Sequence, residues 1–220
     1  MLSLTTLYGR VEKIENSLNF VKDQTPLPNF MCMIPTYSLW WMIIICDYYN
    51  ITLYKTFAED QLEYLINLID VFDAWVDEKG NILMPDIAQF VDWPTSEHED
   101  KVPGFRCIFI MAMVKVINFL NTFEKDSKTA KGLYDRLVKK DIIVKEKKQV
   151  IALKCLTVGI NDEEKAKLIE GNAKGLSTFM SYFILKAIAS FNKTKAIEIM
   201  KEYFNGMISV NATTFWEDFD

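Results

Sequence analysis

Apolar residues recur at intervals of three and four along most of the chain, and alternation with period two is scarce, so the sequence predicts an almost wholly α-helical protein. Leu7, Val11, Ile14, Leu18 and Val21 form one stripe of a first predicted helix over residues 3–22. Prolines 26, 28 and 35 break the period and predict a long connection over 24–35. Residues 36–49 are apolar nearly all round, as expected of a helix walled in on several sides. The next helix is predicted over 55–77, with Phe57, Leu62, Leu65, Leu68, Ile69 and Phe72 turned to a neighbour. It ends in the polar turn Asp77-Glu78-Lys79-Gly80-Asn81, whose glycine suits a helix C-terminus.

Residues 81–103 have no helical period and contain Pro85, Pro94 and Pro103, so they are predicted as the longest irregular segment. Long ordered loops in compact domains are usually functional. Helices are predicted in quick succession beyond it, over 105–123, 127–139, 147–157, 162–171, 177–191 and 194–207. Asn161 followed by Asp162, Glu163 and Glu164 reads as a side-chain cap with an acidic first turn, which the helix dipole favours. Short links of this kind force antiparallel hairpins. About nine helices fit in all, and the alternation of apolar with amphipathic ones fits two concentric layers better than one. No solenoid repeat of about 34 residues is present.

Composition narrows the class. The 220 residues are 50% apolar and 13% aromatic, enough for one folded domain over 1–220. A net charge of −5 leaves no surplus of Lys and Arg for phosphates, so no nucleic acid partner is expected. The longest apolar runs, 39–46 and 107–114, fall short of the ~20 residues of a membrane span. A soluble chain without a membrane partner is therefore expected. The first residues carry neither a basic stretch nor a small-residue cleavage site, which reads as cytoplasmic. Cys32, Cys46, Cys107 and Cys155 lie far apart among apolar residues and read as buried free thiols. With His98 the only histidine and no tight Cys/His spacing, neither a metal nor a cofactor is expected.

Three segments carry candidate chemistry. In Pro35-Thr36-Tyr37-Ser38-Leu39-Trp40-Trp41 two adjacent tryptophans open a helix. Neighbours on a helix point about 100° apart, so both cannot pack into one spot: either one faces a cavity, or core packing alone accounts for the pair. In Phe90-Val91-Asp92-Trp93-Pro94 an aspartate stands beside a tryptophan. That pair suits a sugar, whose hydroxyls donate to the carboxylate while its apolar face stacks on the indole; equally, the aspartate caps local backbone and the tryptophan fills a gap. The end of the chain, Asn211-Ala212-Thr213-Thr214-Phe215-Trp216-Glu217-Asp218-Phe219-Asp220, is acidic, but its aromatics at 215, 216 and 219 do not suit a solvated tail.

Gly206-Met207 followed by Ala212-Thr213-Thr214-Phe215-Trp216-Glu217-Asp218-Phe219 resembles the Gly-Met-Leu then Gly-Ala-Thr-Thr-x-Trp-Glu pattern of the bacterial α-L-rhamnosidases and their six-hairpin relatives. The Tyr37 to Trp41 and Phe90 to Pro94 segments resemble earlier landmarks of the same family, in the same order, and the resemblance runs from about residue 8 to 220. It implies the C-terminal share of an (α/α)6 barrel, all-α and incomplete, from an inverting hydrolase of terminal α-L-rhamnose. Inverting enzymes hold an acid and a base roughly 6.5–9.5 Å apart, leaving room for a water. By motif match Glu217 corresponds to the general base, Asp92 holds a sugar hydroxyl, and Trp93, Trp216 and one of Trp40 and Trp41 wall the pocket.

The match departs from the family in two places. The acidic motif that carries the general acid has no counterpart among residues 1–24, where Glu12, Glu15 and Asp23 sit on an ordinary amphipathic helix with Lys13 and Lys22. Asn211 stands where glycine is usual. The expectation is a barrel short of its first helices, inactive alone, with exposed apolar faces that favour a homo-oligomer. Two other readings stay open. One is another helical-barrel sugar enzyme, an unsaturated glucuronyl hydrolase or a polysaccharide lyase, although His98 among Glu97, Glu99 and Asp100 reads as a solvated loop residue. The other is a non-catalytic helical scaffold that binds a partner protein.

Overall fold

A computed structural model describes residues 2–217, and among them the chain is all α: there is no strand, only an isolated antiparallel bridge between Val76 and Ile82. The chain forms two compact units. The first holds the residues up to Phe90 together with Ile108–Asp141; the second holds Val91–Cys107 and the residues from Ile142 onward.

The first unit opens with α1 (Leu2–Tyr8) and α2 (Glu12–Asp23), where the stripe predicts one helix. The break falls at Gly9, whose φ of +70° is left-handed. It takes Leu7 off the apolar stripe and leaves it 73% exposed, while Ile14 and Leu18 stay in the core. The connection through the prolines has a cis bond at Leu27-Pro28. Pro35 then starts α3 (Pro35–Thr52) at a position where no amide hydrogen is needed. Leu39, Met42, Ile45 and Cys46 of α3 are all buried, in keeping with its all-round apolarity.

The helix expected over 55–77 is also two, α4 (Lys55–Glu59) and α5 (Leu62–Asp73). It stops early because Asp77 folds the chain back, accepting from the backbone N–H of Lys79 at 2.9 Å and of Asn81 at 2.7 Å. Gly80 therefore closes that turn rather than capping the helix. Its φ is +79°, and a Cβ there would stand 2.1 Å from the carbonyl oxygen of Arg136 in α7 (Lys128–Leu137). The Arg136 guanidinium in turn pairs with Asp73 at the end of α5. Phe72 is fully buried between Phe30 and Phe109, with ring centroids 5.1 and 5.0 Å away. Emptying such a site costs about 3–5 kcal/mol, so this stack is a main tie of the unit.

Between α5 and α7 in sequence lies α6 (Lys101–Thr122), which gives residues 108–122 to the first unit and 101–107 to the second. It starts earlier than expected. Pro103 sits in its first turn, where proline is tolerated, so the irregular segment predicted to run to 103 ends at 100. By length and composition α6 could cross a membrane, but 61% of its most apolar stretch is buried inside the protein.

In the second unit α8 (Lys148–Cys155), α9 (Asp162–Ile169), α10 (Thr178–Phe191) and α11 (Lys193–Ser209) follow the start of α6. Helix α10 is central, packing on α8, α9 and α11. Leu153, Met180, Ile184, Ile188 and Ile199 meet there with no exposed surface. Asn161 caps α9 as the sequence predicts: its side chain accepts from Glu164 N at 2.9 Å, and Glu164 returns a contact to Asn161 N at 3.1 Å. The thiols divide. Cys46 and Cys107 are buried, with burial pushing the Cys107 thiol up to about 12, whereas Cys155 is half-buried and Cys32, in a short 3-10 turn, is exposed, against the expectation of four buried thiols.

Candidate functional site

The site begins with a turn in the second unit. Asp92 is extended and precedes a 3-10 turn over Trp93–Thr95, with Pro94 at a position where a missing N–H costs nothing. The Thr95 hydroxyl accepts from Asp92 N at 3.3 Å and donates to Asp92 Oδ1 at 2.6 Å. The second oxygen, Oδ2, accepts from the Ser177 hydroxyl at 3.0 Å. Asp92 is only 7% exposed. Burial pushes its carboxyl above the ordinary range, and the Thr95 and Ser177 hydroxyls and the Lys147 charge pull against that without reversing it. The capping reading of this aspartate is thus what the geometry displays: both oxygens are engaged inside the protein.

Ser177 stands where a helix cap belongs; its side chain makes no cap bond to α10 and instead donates its hydrogen to Asp92. The next residue holds the end of the chain. Thr178 N donates to the carbonyl of Glu217 at 3.0 Å, and the Thr178 hydroxyl donates to the carbonyl of Trp216. With that hydrogen committed, the buried Tyr203 hydroxyl, 3.1 Å away, is the donor to Thr178. Two adjacent residues at the start of α10 therefore fasten the Asp92 turn and the Trp216-Glu217 segment, which are far apart in sequence.

The side chains around this junction differ in access. The Glu217 carboxylate is exposed, Trp93 is 65% exposed and Trp216 is 39% exposed. Phe215 packs edge-on against Phe204 at 5.6 Å. Asp218 and Phe219 of the same motif, and Asp220, lie outside the described residues. Trp40 and Trp41 belong to the first unit and are buried in it. Trp41 donates its indole N–H to Leu18 O at 3.2 Å and meets Tyr64 edge-on at 5.3 Å.

A second carboxylate of this unit carries no signal in the sequence. Asp100, 1% exposed, accepts the backbone N–H groups of Lys145, Glu146 and Lys147 at 2.8, 3.0 and 2.8 Å. Burial pushes its carboxyl up, but these three donors and nearby His98 outweigh that, so it titrates below its ordinary value. His98 is engaged rather than solvated: Nδ1 accepts from Asp100 N at 3.1 Å and Nε2 lies 3.2 Å from the Glu146 carboxylate. Among the described residues no group of three or more His, Cys, Asp or Glu side chains is placed to hold a metal ion.

Sequence reasoning singles out Asp92, Trp93, Trp216 and Glu217, which bond to or adjoin segments bonded to Ser177 and Thr178, and singles out Trp40 and Trp41, which are both packed in the core of the first unit; it gives no signal of Ser177, Thr178 or Asp100. Ser-Thr before an apolar run signals a helix start, and nothing in that signal says the hydroxyls reach other segments. Compared with known proteins, the chain matches no family model, no curated protein and no solved structure.

Proposed function

We propose that the chain is the C-terminal share of an (α/α)6 six-hairpin glycosidase domain resembling the bacterial α-L-rhamnosidases, with Glu217 as the base that activates water. One observation carries this reading: the Asp92-Trp93-Pro94 turn and the Trp216-Glu217 segment, two landmarks of the resemblance, are bound by the adjacent residues Ser177 and Thr178. Glu217 is exposed, Trp216 adjoins it in the chain and the Trp93 turn is tied to the same helix start, and groups of these types have the chemistry of a sugar site, since indoles stack on a pyranose face while a carboxylate takes a proton from water. In this arrangement Asp92 is a positioning residue, fixing the Trp93 turn against α10.

The test is binding rather than turnover, because these residues contain no counterpart of the family's acid motif. Calorimetry with methyl α-L-rhamnoside should give saturable binding that Trp93→Ala weakens several-fold while the fold, followed by circular dichroism, is kept. Absence of saturable binding would remove the glycosidase reading. It would leave the non-catalytic scaffold, which is favoured by the burial and double hydrogen bonding of Asp92 and by the burial of both Trp40 and Trp41 in the first unit.

A further inference from the structure

The first unit carries an open groove of about 560 Å³ between the start of α5 and the end of α6. Its floor is apolar. Leu62 and Ile66 stand one turn apart on α5 and so share a face of that helix, and Phe123, just beyond α6, closes the other side. The Phe123 ring is held by Tyr49 and Phe119, each with its centroid 4.9 Å away. The turn that follows is fixed as well: Lys125 N donates to Leu120 O at 2.9 Å, and Glu124 takes a left-handed φ of +53°. Both walls therefore stand on ordered backbone.

The rims are charged, and unequally. Glu59 and Glu63 line the α4 and α5 side and Lys125 the α6 side, all three exposed. Glu59 has Lys55 at 3.6 Å, but both are exposed, and such a surface pair holds weakly. Glu63 and Lys125 make no ion pair among the described residues. Two carboxylates thus border one edge of an apolar floor, and a single ammonium borders the other.

From this arrangement we infer that the groove docks a basic amphipathic helix of a partner protein. Its apolar stripe lies on Leu62, Ile66 and Phe123, and its lysines or arginines lie on the flank that faces Glu59 and Glu63. Charge complementarity selects this occupant. An acidic segment sets like charges against the glutamate rim, and a helix basic on both flanks meets Lys125. A floor built along one helix suits apolar side chains three and four residues apart on another. The inference is independent of the sugar-binding reading, whose residues Asp92, Trp93, Trp216 and Glu217 belong to the second unit.

The test uses synthetic helical peptides of roughly 15 residues, long enough to hold a helix on a surface, and fluorescence anisotropy on the full chain. One has a leucine stripe with lysines on one flank and glutamines on the other; a second has glutamates for the lysines, and a third has serines for the leucines. The lysine peptide should bind saturably and, at low salt, about tenfold more tightly than the glutamate peptide, a gap that added salt narrows. Glu59→Gln with Glu63→Gln should remove the preference, and Glu59→Lys with Glu63→Lys should invert it. Both residues are exposed, so the circular dichroism spectrum should be unchanged. The serine peptide should not bind. Failure of the lysine peptide to bind, equal affinity for the lysine and glutamate peptides, or a preference that survives in both glutamate variants would overturn the docking groove. So would a dimer of the chain, seen by light scattering, that the Glu59→Lys and Glu63→Lys pair dissociates, since the groove would then belong to a second copy.

Discussion

Ser177 donates its hydroxyl hydrogen to Asp92 Oδ2 at 3.0 Å, across 85 residues of chain. Its neighbour Thr178 binds the backbone of Trp216 and Glu217, so one turn at the start of α10 gathers the Asp92 turn and the end of the described chain. The two bonds have different weights. The first satisfies a buried carboxylate, and the second anchors an accessible segment.

Ser177→Ala should therefore cost about 1.5–3 kcal/mol, the value of a hydrogen bond to a charged acceptor, seen as a lower urea midpoint with an unchanged slope. Thr178→Val should free the end segment while costing no more than about 1 kcal/mol, the net worth of the neutral hydrogen bond it takes from the Tyr203 hydroxyl. Hydrogen exchange at the residue 178 amide, which donates to Glu217 O, would then speed up. The reverse pattern, a neutral Ser177 variant and a costly Thr178 variant, would contradict this division.

Periodicity makes the helices legible because burying a stripe is what forms them, and every predicted helical region has a helix in it. What it does not resolve is where a stripe is interrupted. Gly9 and the Asp60-Gln61 break split two long stripes without disturbing their spacing, and Asp77 ends α5 through side-chain bonds that no apolar pattern records. The same limit applies at the site. Asp92 and Trp93 are visible as residue types suited to sugars, but whether the carboxylate faces a ligand or a hydroxyl of its own chain depends on Ser177, far along the sequence. The walls of the first unit's groove come from 59–67 and 123–125, so only folding brings them together.

Glycine substitutions test the first unit at two contrasting places. At Gly80 a Cβ would meet Arg136 O at 2.1 Å and the backbone is left-handed, so Gly80→Ala should destabilise by more than about 2 kcal/mol, from strain and from pushing α7 away from the turn. Gly132 lies inside α7, and a methyl group added there would have no neighbour within 4 Å, so Gly132→Ala should stabilise by about 0.5–1 kcal/mol through helix propensity alone. Thermal unfolding of both variants gives the comparison; a tolerated Gly80→Ala would mean that the turn does not touch α7 as described.

The two buried aspartates of the second unit should respond to pH in opposite directions. Asp100 has its carboxyl held below the ordinary 3.8, so its stabilisation is present above the unfolded value and is lost as pH falls through the lower folded one. Asp100→Asn should accordingly cost about 2 kcal/mol at neutral pH, the worth of charge-assisted bonds to three backbone donors, and the gap to the wild type should close on acidification. Asp92 has its carboxyl raised above 3.8, so between its unfolded and folded values the folded state holds the extra proton, and stability drains away as pH rises through that window. Asp92→Asn, which cannot ionise, should therefore gain on the wild type from acid towards neutral pH, while Asp100→Asn loses ground over the acidic range. Urea unfolding of the three proteins at a series of pH values measures both slopes. Parallel slopes would mean that the hydroxyls of Thr95 and Ser177 outweigh burial at Asp92, leaving its carboxylate as comfortable in the fold as that of Asp100.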